Sequence, residues 1–171
     1  EAGRERLFDA LDRARGRGCR IVFDTNFRPR GWPHSALAQA AYRAAMRRAD
    51  LVMASTEDLD LLFGDGETEL PIADERIEVV LKLAQPAVRI FHRGRQQTIA
   101  AAPVADVVDT TAAGDSFAAA YLAARLAGAE PASAARCGHR LAGAVVGHRG
   151  AIIPRAAMPD IGVLYPSGEP R

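Results

Sequence analysis

The stretch that most constrains this chain is residues 109–117, DTTAAGDSF. It follows a short apolar pair, Val107 and Val108, and leads into an alanine-rich helical pattern over residues 118–129. A strand end, a turn of small residues and a helix start are therefore expected to coincide. Such a junction leaves backbone N–H groups without internal partners, and these groups and the helix dipole favour an anion. Asp115 adds a carboxylate among the same donors. It reads either as an ordinary capping acid or as a base held beside an oxyanion or phosphate hole.

The pattern before this junction predicts the surrounding architecture. Leu7, Ala10, Leu11 and Ala14 recur at helical spacing, so residues 2–17 read as an amphipathic helix stopped by Gly16 and Gly18. Residues 20–24, RIVFD, read as a short buried strand, followed by a polar loop over 25–33 and a helix over 36–48. Leu51, Val52 and Met53 form another strand, and Ser55 with Glu57 or Asp58 starts a helix that runs to Phe63 and ends at Gly64. The alternation of helix and strand argues for right-handed crossovers and a largely parallel sheet, an α/β fold. Residues 65–73 read as a polar loop and 78–82 as a strand, while 88–92 and 98–102 flank Arg93-Gly94-Arg95 as a hairpin. Helices over 114–126 and 132–146 follow the anion-site turn. A helical pattern from the first residue, with no strand before it, suggests the back part of something longer.

Charge and cysteine usage narrow the function classes. The formal net charge is +1, which gives no strong field for nucleic acid or an anionic membrane. The Arg-rich segments 4–20 and 43–48 read as solvated helix faces. Cys19 and Cys137 show no paired spacing, which fits a reducing, cytoplasmic setting. The four histidines show no metal-ligand spacing, the N-terminus is charged rather than apolar, and the longest apolar run, 117–124, is too short to span a bilayer.

The loop after the first strand carries a second constellation. Asp24, Asn26 and Arg28 alternate, so they would point the same way if the strand continued through them. They stand at a strand's C-terminal end, where open parallel sheets place ligands, and Arg28 offers a planar fork for a carboxylate or phosphate. A structural Arg–Asp pair with Asn26 as a turn residue reads equally from the same residues. Trp32 beside Pro33 reads as a packing anchor.

Taken together, the two stretches resemble the ribokinase-like sugar kinases, or phosphofructokinase-B family, whose signature is DTxGAGD. Agreement falls at Asp109, Thr110, Ala113, Gly114 and Asp115. FDTNFRPRGWP is similar to the FDxNxRxxLW stretch of the branch acting on 2-keto-3-deoxygluconate, and MASTEDLDLLFGD and HRLAGAVVGHRGAIIP are similar to later segments of that branch. The resemblance implies a three-layer ribokinase-like fold with helices flanking the sheet. It implies ATP-dependent phosphorylation of a sugar acid, with Asp115 as the general base and the N–H groups of Ala112, Ala113, Gly114 and Asp115 as the phosphoryl hole. It gives Arg28, with Asn26 and Asp24, to the substrate, and Ser55, Asp58, Lys82, Thr110 and Gly114 to the nucleotide. Mg²⁺ would be reached by Asp58 through water, and a monovalent cation such as K⁺ would sit at carbonyls near Asp109 and Thr111.

The sequence departs from the family pattern in three places. Ala112 stands where the wider family has Gly, so the turn must accept a Cβ. Ser55 and Asp58 stand for an Asn-x-x-Glu motif, keeping the oxygen ligands on a shorter acidic arm; a Ser N-cap with a first-turn acid describes the same residues. Leu83-Ala84-Gln85-Pro86 replaces a glycine-containing turn after Lys82. The resemblance covers residues 3–159 and places them in the C-terminal part of one kinase domain, with 160–171 as a loosely held tail. The front strands, most of the sugar pocket and the small β lid through which such kinases dimerise are not in this sequence. A kinase for fructose or another neutral sugar, and a truncated remnant without turnover, stand as alternatives.

Overall fold

The computed structural model describes residues 2–64 and 66–159, so the expected tail at 160–171 lies outside the described residues. The chain divides into two compact units, Glu1–Thr98 and Ile99–Arg171.

In the first unit, α1 (Ala2–Gly16), β1 (Val22–Asp24), α2 (Ser35–Met46), β2 (Leu51–Ser55), α3 (Thr56–Phe63), β3 (Glu78–Lys82) and β4 (Ala87–His92) follow in order. With β5 (Arg95–Ala100), the strands form one sheet in the order β1-β2-β3-β4-β5. β1, β2 and β3 pair in parallel, and β4 returns antiparallel to β3. Leu51 through Ala54 are all buried, the continuous apolar run of a parallel strand covered on both faces.

Register explains one core. Phe23 pairs with Val52, and Val52 with Val79, while Ala54 pairs with Leu81. These side chains share a face and pack with Ile21, Met46, Ala49 and Leu59. Each fully buried Val or Leu contributes about 1.5–3 kcal/mol. Leu11 is the residue of the α1 stripe that packs on this cluster; Leu7 stays half exposed, so the amphipathic reading of α1 is only partly met. Ser55 caps α3 as expected, its Oγ accepting the Asp58 N–H at 3.1 Å, and Gly64 ends it.

The hairpin is tighter than the sequence suggested. Strand β5 begins at Arg95 rather than Thr98, because Arg93 and Gly94 alone make the turn, both at positive φ (49° and 69°). That is the two-residue geometry that matches strand twist.

In the second unit, α4 (Ala113–Leu126) and α5 (Pro131–Val146) pack closely. Gly138 lets α5 approach Phe117, for a Cβ there would lie 2.6 Å from the ring. Phe117 stacks on Tyr121 and lies 5.0 Å from the His139 ring. The strand expected to end at Val107 and Val108 does not form. Both valines are exposed, and the segment is tied to the end of α5 by a Val108 N–H bond to the Val146 carbonyl. Two β-branched residues alone do not supply a neighbouring strand.

Candidate active site

The turn before α4 is built around one left-handed residue. Ala112 sits at φ 60°, ψ 14°, the conformation glycine adopts without penalty. Thr110 accepts the Ala113 N–H at 3.1 Å, and the first helical bond runs from the Ser116 N–H to the Ala112 carbonyl. The N–H groups of Gly114 and Asp115 therefore lie in the turn that a helix leaves without internal partners. The expected four-donor hole loses one member: the Ala113 N–H is occupied by Thr110. Asp115 is exposed in the first turn of α4, near the positive end of the helix dipole.

Asp109 fixes the far side of this turn. Its Oδ1 accepts the Thr111 N–H at 2.9 Å and its Oδ2 accepts the Gly150 N–H at 2.8 Å. The Thr111 hydroxyl, then these backbone donors, with a smaller contribution from Arg149, lower the Asp109 pKa to about 2. Oδ1 thus closes residues 109–111 on themselves, and Oδ2 ties them to Gly150, beyond the end of α5. His139, on α5, is half-buried, and its Nε2 lies 3.0 Å from the Ile99 carbonyl. Burial lowers its pKa, against the raising effect of that carbonyl.

In the first unit, three strand ends supply a second set of side chains. Asp24, Ser55 and Lys82 are the last residues of β1, β2 and β3. Register pairs Asp24 with Met53 and Ser55 with Lys82, so alternation places all three on one face at the C-terminal edge. Lys82 Nζ lies 3.5 Å from both carboxylate oxygens of Asp24, an ion pair with both partners partly exposed. The sequence assigned Asp24 to substrate and Lys82 to nucleotide; the fold brings them together.

The alternation of Asp24, Asn26 and Arg28 does not come from a continued strand. β1 ends at Asp24, and Asn26 adopts φ 33°. The chain turns there, so Thr25 and Phe27 are buried while Asn26 and Arg28 face solvent. Arg28 donates to the Phe27 carbonyl at 2.8 Å, which leaves most of its guanidinium donors open.

Two residues of this set were missed from sequence. Thr25, 2% exposed, donates its hydroxyl to Asp58 Oδ2 at 2.7 Å. Tyr42 lies beneath the loop, in edge contact with Phe23, Phe27 and Trp32 at 5.4–5.8 Å, so Trp32 packs as expected. Burial raises the Tyr42 pKa, Asp58 raises it further, Arg28 lowers it and Asp24 raises it. The charges of the loop and of α3 are thus felt at one buried ring. Only the helical spacing of Tyr42 on α2 hinted at its burial, and nothing local pointed to a bond between residues 25 and 58.

Residues 2–158 match the pfkB family carbohydrate kinases, and the chain belongs to that family. It is 39% identical over 163 residues to the 2-dehydro-3-deoxygluconokinase of Escherichia coli K12, covering 91% of this chain and 53% of that protein. It is also 39% identical over 171 residues to the enzyme of the same name from Dickeya dadantii, covering 93% of this chain and 54% of that protein. The chain therefore spans about half the length of the curated relatives it matches. Its fold superposes on aminoimidazole riboside kinase from Salmonella enterica, solved with aminoimidazole riboside and an ATP analogue, with a TM-score of 0.73 at 21% identity, covering 92% of this chain and 55% of that one. The expected ribokinase-like α/β fold is present. No helix among the described residues is long and apolar enough to cross a membrane.

Proposed function

We propose that this chain carries the phosphoryl-transfer apparatus of an ATP-dependent sugar kinase acting on 2-keto-3-deoxygluconate at its terminal hydroxyl. The observation that carries the reading is the left-handed turn at Ala112, which opens the N–H groups of Gly114 and Asp115 beside the Asp115 carboxylate. Asp115 takes the proton of the attacking hydroxyl as its oxygen bonds to the γ-phosphorus of ATP. The bond from that phosphorus to the β-bridging oxygen breaks, and ADP leaves. These N–H donors, with that of Ala112, hold the charge that develops on the phosphoryl oxygens, where positioned dipoles contribute most. Thr110, exposed beside the turn, is assigned to the nucleotide phosphates.

Arg28 selects the substrate class. Its open guanidinium fork matches a carboxylate in two parallel hydrogen bonds, with Asn26 exposed beside it. A neutral hexose offers no such partner. The relatives at 39% identity bear the name of kinases for this sugar acid, which favours it over fructose.

Mg²⁺ fits the residues present in a limited way. Asp58 keeps its Oδ1 without a protein donor among the described residues, while its Oδ2 is held by Thr25. One carboxylate oxygen suits an ion that keeps its waters and rests mainly on substrate phosphates. Asp58 would hold such a water, and the ion would supply charge neutralisation of the phosphates. Both oxygens of the Asp109 side chain are engaged, so a K⁺ site beside the turn would rest on backbone carbonyls there, with Thr111. A cytoplasmic setting and a homodimer of the whole enzyme belong to the same reading. So does the assignment of residues 1–159 to the C-terminal part of one kinase domain.

The test is ADP release from ATP by the protein with a panel of sugar acids and neutral sugars. Turnover with 2-keto-3-deoxygluconate well above that with fructose is expected. Preference for fructose would overturn the substrate, and no turnover with any sugar would favour a non-catalytic chain.

A further inference from the structure

Thr25 is the most deeply buried polar side chain of the strand-end set, and its environment is over-determined. Its N–H donates to the Met53 carbonyl at 2.9 Å, so its backbone is fixed to β2. Its hydroxyl donates to Asp58 Oδ2 at 2.7 Å, across 33 positions of sequence. Asp58 is held at its other end as well, because its N–H donates to Ser55 Oγ at 3.1 Å. The carboxylate is thus gripped at backbone and at one oxygen, and its Oδ1 has no protein donor among the described residues.

We infer that Thr25 is a positioning residue, whose hydroxyl holds the Asp58 carboxylate in the one orientation that offers Oδ1 to a hydrated divalent cation accompanying the nucleotide. This rests on the reading of Asp58 given above. A carboxylate with both ends free samples several rotamers, and a cation that keeps its waters is sensitive to where the accepting oxygen lies. Groups that orient a cation's carboxylate partner in this way change metal affinity about 10–100-fold when removed. Thr25 also begins the loop that carries Asn26 and Arg28, so one short bond ties the proposed sugar-acid loop to the proposed cation arm.

The experiment compares Thr25→Val, Thr25→Ser and Asp58→Asn in the whole protein with ATP present, measuring bound Mn²⁺ by its electron paramagnetic resonance signal and the Mg²⁺ concentration giving half-maximal turnover. Thr25→Val is expected to weaken Mn²⁺ binding about tenfold or more and to raise the Mg²⁺ requirement similarly, with the sugar KM changed less than about threefold. Thr25→Ser, which keeps the hydroxyl, is expected to restore both. Wild-type Mn²⁺ binding in Thr25→Val together with a loss in Asp58→Asn overturns the role of Thr25 and leaves that of Asp58. Unchanged Mn²⁺ binding in Asp58→Asn overturns the reading of Asp58 itself. If Thr25→Val does not fold, Thr25→Ala in the same Mn²⁺ measurement decides: weakened binding supports the inference, and wild-type binding overturns it.

Discussion

The strand-end cluster of the first unit and the turn of the second are built from different materials. The cluster is made mainly of side chains that hold each other, Lys82 on Asp24 and Thr25 on Asp58, with the Ser55 hydroxyl accepting the Asp58 N–H. The turn is made mainly of backbone, with one left-handed residue and N–H groups at the helix start, and side chains enter as Asp109, Thr111 and Asp115. A side-chain cluster recognises by charge and can be altered one residue at a time. A backbone turn recognises by geometry, and it fails or holds as a whole.

The contrast can be broken most sharply at Asp115. Asp115→Asn keeps the shape but removes the base, so turnover is expected to fall about 10²–10⁴-fold in an ADP-release assay, with ATP affinity little changed. Near-normal turnover would leave the turn as an anion site without a base. At the cluster, Arg28→Ala is expected to raise the KM for the sugar acid about 10–100-fold, the loss of hydrogen bonds to a charged group, while kcat stays nearly constant in steady-state kinetics. Equal effects on kcat and KM would show that the loop shapes the reacting geometry and not binding alone.

Two changes probe the turn as a whole. Gly138→Ala drives a Cβ into Phe117, four residues into α4, and is expected to cost about 1–3 kcal/mol in thermal or urea unfolding. Ala112→Gly removes the only Cβ held in the left-handed region of the turn and is expected to stabilise by at most about 1 kcal/mol in the same measurement. A loss of stability there would mean that the Ala112 methyl makes contacts outweighing its strain.

The smallest expected effect is with pH. The Asp109 pKa is lowered from 3.8 to about 2, so the tie it makes is complete above about pH 4 and is lost as pH falls through about 2. Amide resonances of Thr111 and Gly150, followed by nuclear magnetic resonance, should stay constant from pH 7 to about 4 and move together below it. Movement near pH 5–6 would mean that another group controls the turn.

Much of this was legible in the chain, for definable reasons. Apolar runs at 51–54 and 79–81 have no polar face to expose, so a parallel sheet was readable. The Ser55 cap was readable because a cap is local, spanning three residues. At Ala112 the resemblance put a glycine position, so a turn that must accept a Cβ there was readable, and its left-handed φ is what the structure adds. Other features depend on neighbours far away in sequence. Val107 and Val108 favour a strand but find only the end of α5. The bond between Thr25 and Asp58, and the rings gathered at Tyr42, exist only once β1, α2 and α3 have been placed. The engaged N–H of Ala113 follows from where the Thr110 carbonyl happens to point.

The tie made by Asp109 has one further consequence. Two acidic side chains, Asp109, ionised at every ordinary pH, and Asp115, flank the left-handed turn against the nearby cation Arg149, so that turn does not attract phosphate by net positive charge. Its affinity has to come from N–H dipoles at contact distance, which added salt screens weakly. Added salt should instead act on Arg28 and Lys82, whose attraction for anions reaches through solvent over about 8–10 Å at moderate ionic strength. Ionic strength is therefore a dial that turns one half of the proposed chemistry and leaves the other nearly untouched.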